Sequence, residues 1–166
     1  MVTIQDESRG DEPAIRQLHL LAFARDAEAS LVDALRESGD VVVSLVARTG
    51  GNVAGHVLFS ALTIDGESGA VSLAPIGVRP QLQRRGLGSE LIRRGIDRCK
   101  ERGCSAIIVL GDPAYYGRFG FSSALAQRLV APYAGPHFMG LELRRGALES
   151  GGIVRYPIPF EALDAR

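Results

Sequence analysis

The sequence predicts a mixed α/β fold in which a mostly antiparallel central sheet is flanked by helices. Two amphipathic helical patterns precede three strand-like runs joined by glycine-containing turns. A strand, a helix and a strand then follow in order within residues 71–110. At 166 residues, 46% apolar and 23% charged, the chain is long enough to bury one core. We therefore expect a single domain over residues 1–166, with the element order β, α, α, β, β, β, α, β.

The N-terminal segment predicts one short strand and two helices. Val2 to Gln5 can form an edge strand. Asp11-Glu12-Pro13 then places acids and a proline in a first helical turn, and apolar residues recur at helical spacing up to Ala22. A second apolar pattern begins at Ala29 and ends near Ser38-Gly39-Asp40, where the glycine is a helix stop.

Three successive strands follow these helices. The runs are Val41 to Arg48, Val53 to Ile64 and Gly69 to Val78, separated by Thr49-Gly50-Gly51-Asn52 and Asp65-Gly66-Glu67. Glycine-containing turns of this length join antiparallel strands. The last run, the fourth strand of the chain, contains Pro75 and Gly77, and each weakens ladder pairing. A bulge or a splayed edge is therefore expected in this strand.

The next segment predicts a helix between two strands. Apolar residues at helical spacing alternate with a charged face that carries oppositely charged pairs four residues apart. Gly103 is a helix stop, and Ala106 to Leu110 is an apolar run typical of a buried strand. The apolar positions of the helix are Leu87, Leu91, Ile92, Ile96 and Cys99.

A glycine-containing loop, Gln83-Arg84-Arg85-Gly86-Leu87-Gly88, stands immediately before this helix. Two glycines allow a tight backbone turn, and the first turn of a helix offers unbonded N–H groups and a partial positive charge. Arg84 and Arg85 add full positive charges. The arrangement predicts a site for a pyrophosphate, with Ser89 as a further phosphate contact. A structural turn or another phosphate ligand are the alternatives.

Other chemistries find less support in the sequence. The fingerprints Gly-x-Gly-x-x-Gly and Gly-x-x-x-x-Gly-Lys-Ser/Thr are absent, and the single lysine, Lys100, is far from the loop. No Gly-x-Ser-x-Gly elbow supports a nucleophilic serine. Cys99 and Cys104 have no metal-ligand spacing, so we expect reduced structural thiols and no metal cofactor.

Charge and hydropathy limit the classes of partner. Acidic and basic residues number 19 each, so no overall basic field attracts nucleic acid. No run approaches the roughly 20 apolar residues that cross a bilayer, and the N-terminus lacks a signal-peptide pattern. These features predict a cytoplasmic protein with a small-molecule or protein partner, without nucleic-acid or membrane binding. A homodimer is left open.

Two separated motifs resemble the GNAT superfamily of N-acetyltransferases. The first is the loop at residues 83–88, preceded by the strand end Ile76-Gly77-Val78-Arg79-Pro80, and it resembles the family's Gln/Arg-x-x-Gly-x-Gly/Ala acetyl-CoA loop. The second is Tyr116-Gly117-Arg118-Phe119-Gly120-Phe121, which has the family's tyrosine separated by three residues from a Gly-Phe pair. The resemblance is specific over residues 73–121 and weak after Ser122.

The resemblance implies a fold detail, a cosubstrate and site residues. The fourth strand would splay from its parallel neighbour and leave backbone groups free for the pantetheine arm of acetyl-CoA. Main-chain contacts would come from Ile76 and Val78, and a backbone N–H at Ile76 or Gly77 would stabilise the oxyanion. The expected cofactor loop is Gln83, Arg84, Arg85, Gly86, Leu87, Gly88 and Ser89. Tyr116 would be the general acid for the departing thiolate.

Some roles stay open at this level. His56, Glu142 and water are the candidates for the general base. The family often has an asparagine upstream of the tyrosine, and Asp112 is the residue nearest to that position here. The implied reaction is direct transfer of the acetyl group to a primary amine in a ternary complex. The alternative function is a catalytically silent acyl-CoA-binding regulatory protein.

Overall fold

The computed structural model describes residues 1–164 and has a six-stranded mixed sheet at its centre. The first half of the chain forms β1 (Val2–Asp6), α1 (Glu12–Phe23), α2 (Ala27–Ser38), β2 (Val41–Thr49), β3 (Asn52–Ala61), β4 (Thr63–Ile64) and β5 (Ala70–Val78). The second half forms α3 (Leu87–Glu101), β6 (Ala106–Leu110), α4 (Pro113–Tyr116), β7 (Leu129–Val130), β8 (Phe138–Glu142), β9 (Gly152–Arg155) and α5 (Pro159–Asp164). Short 3₁₀ turns cover Pro80–Leu82 and Gly117–Phe119.

The central sheet has the order β1-β2-β3-β5-β6-β8, and β5–β6 is its one parallel pair in the described chain. This arrangement confirms the predicted mostly antiparallel mixed sheet. The hairpin between β2 and β3 turns at Gly50 and Gly51, whose φ angles of 57° and 81° suit glycine. Both predicted N-terminal helices are present, and α2 ends at Gly39 with a φ of 78°.

Helices cover both faces of the sheet. The apolar stripe of α3 packs on β2, β3 and β5, and its Gly95 lies where a Cβ would come within 2.3 Å of the Phe59 ring. On the opposite face, α1 and α2 cover a second cluster that includes Ile15, Leu18 and Leu35, each with no exposed area. Burial of these two helix faces supplies the apolar stabilisation that holds both helix layers on the sheet.

Strands β5 and β6 separate after three residue pairs. Pairing runs from Ala70–Ala106 to Ser72–Ile108, whereas β5 continues to Val78 against β3 alone. Between the Leu73–Phe59 and Ile76–Val57 pairs, β5 has one more residue than β3, which is the bulge expected around Pro75. The Ala74–Pro75 peptide bond is cis. The predicted splay is therefore present, and it opens a cleft beside β5.

The C-terminal strands form a second, smaller sheet with the order β4-β9-β7. The sequence predicted one continuous strand over residues 53–64. In the structure β3 ends at Ala61, and Thr63–Ile64 leaves the central sheet to pair with β9. The strand changes partner because Val154 and Leu62 bury their side chains together in a third apolar cluster. Within residues 1–164, no helix is long and apolar enough to span a membrane.

Candidate active site

The loop before α3 leaves its backbone N–H groups without backbone hydrogen-bond acceptors among the described residues. Arg84 and Gly86 both adopt left-handed conformations, with φ angles of 63° and 85°. Consecutive turns of this kind direct successive N–H groups to one side. The N–H groups of residues 84–89 meet no backbone acceptor in the part of the chain that is described. The side-chain amide of Gln83 donates to the Val78 carbonyl at 3.0 Å and so ties the loop to the end of β5.

The free edge of β5 continues the same surface. The Arg79 N–H donates to the Ala54 carbonyl in β3 at 2.9 Å, and backbone groups of successive strand residues point to alternate sides. The N–H and C=O groups of Ile76 and Val78 therefore face the cleft, whereas those of Gly77 face β3. Of the two candidate oxyanion donors named from the sequence, the Ile76 N–H is the one directed into the cleft.

Tyr116 stands at the end of α4, across the cleft from β5. Asp112 begins this short helix by accepting a hydrogen bond from the Ala114 N–H at 3.0 Å. The Tyr116 ring rests on Gly111, where an added Cβ would come within 2.4 Å of Cε2. Burial, with a smaller contribution from Tyr115, raises the pKa of the Tyr116 phenol to about 12. The phenol is thus held in its protonated form throughout the neutral range.

Tyr115 has a different set of contacts. Its hydroxyl lies 3.1 Å from the Ser89 Oγ in the first turn of α3, and the Arg118 guanidinium lies 4.5 Å above its ring. Its ring also meets those of Tyr116 and Phe119 edge to face. Tyr115 therefore joins the tyrosine-bearing turn to the start of α3. Ser89 is engaged in the same contact.

A cavity of about 420 Å³ lies where β5 and β6 separate. Its lining includes the bulged part of β5, Leu110 and Tyr116. Its described lining contains a single carboxylate, that of Glu28, and this residue as a whole is only 6% exposed. The Arg25 Nε donates to Glu28 Oε1 at 2.8 Å, and a second guanidinium nitrogen contacts the other carboxylate oxygen. Sequence reasoning missed Glu28, because an acid in a first helical turn is typical of any helix start.

The base candidates named from the sequence lie elsewhere. Glu142 accepts a hydrogen bond from the Leu148 N–H at 2.9 Å and borders a separate cavity. His137, which was not a base candidate, is exposed and contacts the Gly111 carbonyl through Nδ1 at 3.0 Å. His56 is completely buried, and both of its ring nitrogens have partners. None of the three lines the cavity beside Tyr116.

His56 belongs to a buried chain of hydrogen bonds. Arg36 holds the Glu7 carboxylate, which accepts from the Ser44 hydroxyl at 2.5 Å. The Ser44 Oγ then accepts from His56 Nε2 at 2.8 Å, which leaves His56 Nδ1 to accept from His19 Nε2 at 2.8 Å. The carboxylate at one end thus determines the tautomer of both imidazoles, and each ring is held neutral.

The far end of this chain meets β5. His19 Nδ1 is buried without a hydrogen-bond partner among the described residues, and it lies 2.8 Å from the position that a Cβ on Gly77 would occupy. Only glycine allows the imidazole to approach the strand so closely. The chain therefore supports the part of β5 that borders the cleft.

We expect this histidine pair to make the fold acid-labile. Burial lowers the pKa of His19 from 6.5 to about 4 and that of His56 well below its usual range. A depressed histidine pKa gives stability that is complete above pH 6.5 and is lost as the pH falls toward 4. For His19 alone this amounts to about 3 kcal/mol. Urea unfolding of the wild type between pH 7.5 and 4.5 measures the loss.

The matched variant carries His19→Gln and His56→Gln. Its free energy of unfolding at pH 7.5 should be lower than that of the wild type, but it should change much less between pH 6.5 and 4.5. An equal pH dependence in both proteins would contradict the assignment of acid lability to these two imidazoles.

Metal-binding geometry is not found in the described residues. No group of three or more His, Cys, Asp or Glu side chains within residues 1–164 could hold a metal ion. Cys99 and Cys104 are both free thiols, and burial raises the pKa of each. Neither thiol lines the cavity beside Tyr116.

Comparison with known proteins agrees with this geometry. Residues 10–121 match the model of the Acetyltransferase (GNAT) family. The uncharacterized N-acetyltransferase YhbS of Escherichia coli K12 is 40% identical over 127 residues, covering 75% of this chain and 76% of that protein. The uncharacterized N-acetyltransferase YjhQ of the same strain is 37% identical over 140 residues, covering 81% and 77%.

Two solved structures extend the similarity over nearly the whole chain. The crystal structure of E. coli YhbS in complex with CoA has a TM-score of 0.91 and 37% identity, covering 96% of this chain and 92% of that one. A GNAT family acetyltransferase from Brucella melitensis in complex with acetyl-CoA has a TM-score of 0.83 and 33% identity, covering 96% and 98%. The uncovered amides before α3, the splayed β5–β6 pair and the family match together place this chain in the GNAT family of N-acetyltransferases.

Proposed function

We propose that this protein binds acetyl-CoA along the free edge of β5 and transfers the acetyl group directly to a primary amine. The observation that carries the proposal is a chain of neighbouring groups: Gly88 of the loop lies against Val78 and Ile76 on the free edge of β5, and Ile76 lines the same cavity as Tyr116. Such a surface suits a long ligand with an anionic end and a reactive end. Two relatives, from E. coli and B. melitensis, were solved with CoA and acetyl-CoA respectively.

The pyrophosphate would be bound at the start of α3. The N–H groups of the loop and the positive end of α3 stabilise an anion, and Arg84 and Arg85 contribute charge. Gln83, Gly86, Leu87, Gly88 and Ser89 complete the loop as proposed contacts. The pantetheine amides would pair with the backbone of Ile76 and Val78, as a further strand pairs with a sheet edge. Gly77 contributes by allowing His19 to pack against the strand.

The reaction then needs few protein groups. The neutral amine attacks the thioester carbon, and the Ile76 N–H stabilises the negative charge that develops on oxygen. The carbon–sulfur bond breaks, and Tyr116 donates its phenolic proton to the thiolate. The amide nitrogen loses its extra proton to water, from which the tyrosinate is reprotonated. The products are the acetylated amine and CoA, with one proton released for each ammonium ion consumed.

Calorimetric titration with acetyl-CoA, followed by measurement of CoA thiol release with a panel of amines, tests this proposal. We expect micromolar binding and amine-dependent release of CoA. Absence of acetyl-CoA binding would overturn the proposal. Binding with no release by any amine would instead favour the catalytically silent regulatory protein, because the loop would serve as a ligand site without turnover.

A further inference from the structure

We propose that the acceptor amine is a free amino acid with an apolar side chain, bound through Glu28 and Arg25. This inference rests on the proposed function and names the acceptor for the same site. Its starting point is the position of one ion pair at the wall of a largely apolar cavity.

The ion pair gives the cavity two charges of opposite sign. The Glu28 side chain is 8% exposed, whereas the Arg25 side chain is 57% exposed, so the carboxylate lies inside and the guanidinium lies toward solvent. Among the described lining residues these are the only two formal charges. A cationic amine would enter a neutral site and compete with Arg25 for Glu28. A zwitterion meets both charges, its ammonium on Glu28 and its carboxylate on Arg25.

The rest of the lining indicates which kind of side chain the acceptor carries. Rings of Tyr133 and Tyr156 meet at 5.3 Å between centroids, and those of Tyr156 and Phe160 meet at 5.0 Å. The apolar and aromatic residues that the helices and the segment after residue 130 contribute to the lining are Phe23, Leu31, Tyr133, Tyr156, Phe160 and Leu163. A cavity of about 420 Å³ has room for a side chain of the size of leucine or phenylalanine. A long polyamine would leave charges against this apolar wall without partners.

The same cavity contains the reacting groups. Ala74, Ile76 and Tyr116 line it together with Glu28. An α-amino group beside Glu28 therefore shares one cavity with Ile76 and Tyr116. Glu28 acts as the group that binds and orients the ammonium, which loses its proton to water before attack.

The test compares phenylalanine with two analogues under saturating acetyl-CoA. Phenylalanine amide and phenethylamine retain the amine and the ring but lack the carboxylate. We expect kcat/KM for phenylalanine to exceed that for either analogue by about tenfold or more, since both analogues lack the charge-assisted contact between the carboxylate and Arg25. Leucine should also be acetylated, and glycine should be a poor acceptor because it buries no apolar surface.

Variants assign the preference to particular side chains. Arg25→Gln should remove most of the difference between phenylalanine and its amide, mainly through KM. Glu28→Gln should lower kcat/KM for all three acceptors and leave the affinity for acetyl-CoA unchanged. The matched control is Arg16→Gln, which breaks a half-exposed ion pair with Asp33 on the same helical layer and should change neither quantity. Thermal unfolding checks that each variant is folded.

Each other outcome overturns the inference in a recognisable way. If phenethylamine or the amide is acetylated as well as phenylalanine, the assigned role of Arg25 is wrong while the proposed acetyl transfer stands. If acetyl-CoA binds and none of the acceptors is acetylated, the amino-acid assignment is also wrong. If acetyl-CoA does not bind, the proposed function fails, and the inference fails with it.

Discussion

Replacement of Tyr116 by phenylalanine is expected to lower kcat for acetyl transfer by about a hundredfold to ten-thousandfold. The substitution removes only the phenolic oxygen, and the ring that packs on Gly111 is retained. Without the phenol, the thiolate must leave unprotonated or take its proton from water. Steady-state kinetics with acetyl-CoA and an amine that the wild type acetylates measures the loss. Calorimetry should find the affinity for acetyl-CoA nearly unchanged.

Tyr115→Phe is the matched control for this experiment. Tyr115 is the neighbouring residue in the same aromatic cluster, but its hydroxyl contacts Ser89. We expect a small effect on kcat and a modest rise in the dissociation constant of acetyl-CoA, because Ser89 loses one hydrogen bond. An equal fall in kcat for both variants would assign the effect to packing of the cluster and would remove Tyr116 from its proposed role.

The double variant Arg84→Glu, Gly86→Glu is expected to weaken acetyl-CoA binding by at least about a hundredfold. Two carboxylates would replace positive charge and open space where the pyrophosphate is proposed to bind, and like charges repel strongly near a helix start that favours anions. A Cβ on Gly86 meets no atom within 4 Å, although its φ of 85° adds backbone strain. Titration calorimetry of both proteins gives the ratio of dissociation constants.

The control variant carries Gly39→Glu and Arg145→Glu. Gly39 has a similar φ of 78° and similarly open surroundings, and Arg145 borders a cavity lined by different residues. The control thus repeats the charge change and the backbone strain away from the loop. Equal affinity in the wild type and the loop variant would refute the pyrophosphate site, and equal weakening in both variants would attribute the loss to general destabilisation.

Local sequence signals predicted the scaffold of the site well. The loop at residues 83–89 was predicted from two glycines before an amphipathic helix, and that helix is α3. The splay and bulge of β5 were expected at Pro75 and Gly77, and the structure contains both. These features depend on φ angles, hydrogen-bond donors and apolar spacing within a few residues, so a single segment of chain specifies them.

The limits of sequence reasoning appear where segments meet. The predicted strand over residues 53–64 was too long, because Thr63 and Ile64 pair with a strand about 90 residues later in the chain. His56 was a candidate for the general base because the unperturbed pKa of histidine suits that role. In the structure, however, His19 and Ser44 are hydrogen-bonded to its two ring nitrogens. Such pairings join residues far apart in sequence, and no local pattern encodes them.

The sequence by itself determined the α/β class, the uncovered amides before α3 and the tyrosine-bearing turn, since each depends on backbone preferences of neighbouring residues. Tertiary structure alone decided which charged groups share the cavity with Tyr116. Glu28 reaches it from the first turn of α2 and Arg25 from the residues just before that helix, because the apolar face of α2 packs in the second apolar cluster. The position of a charge in a site depends on how helices and sheet bury their apolar surfaces against one another, which is a property of the whole fold.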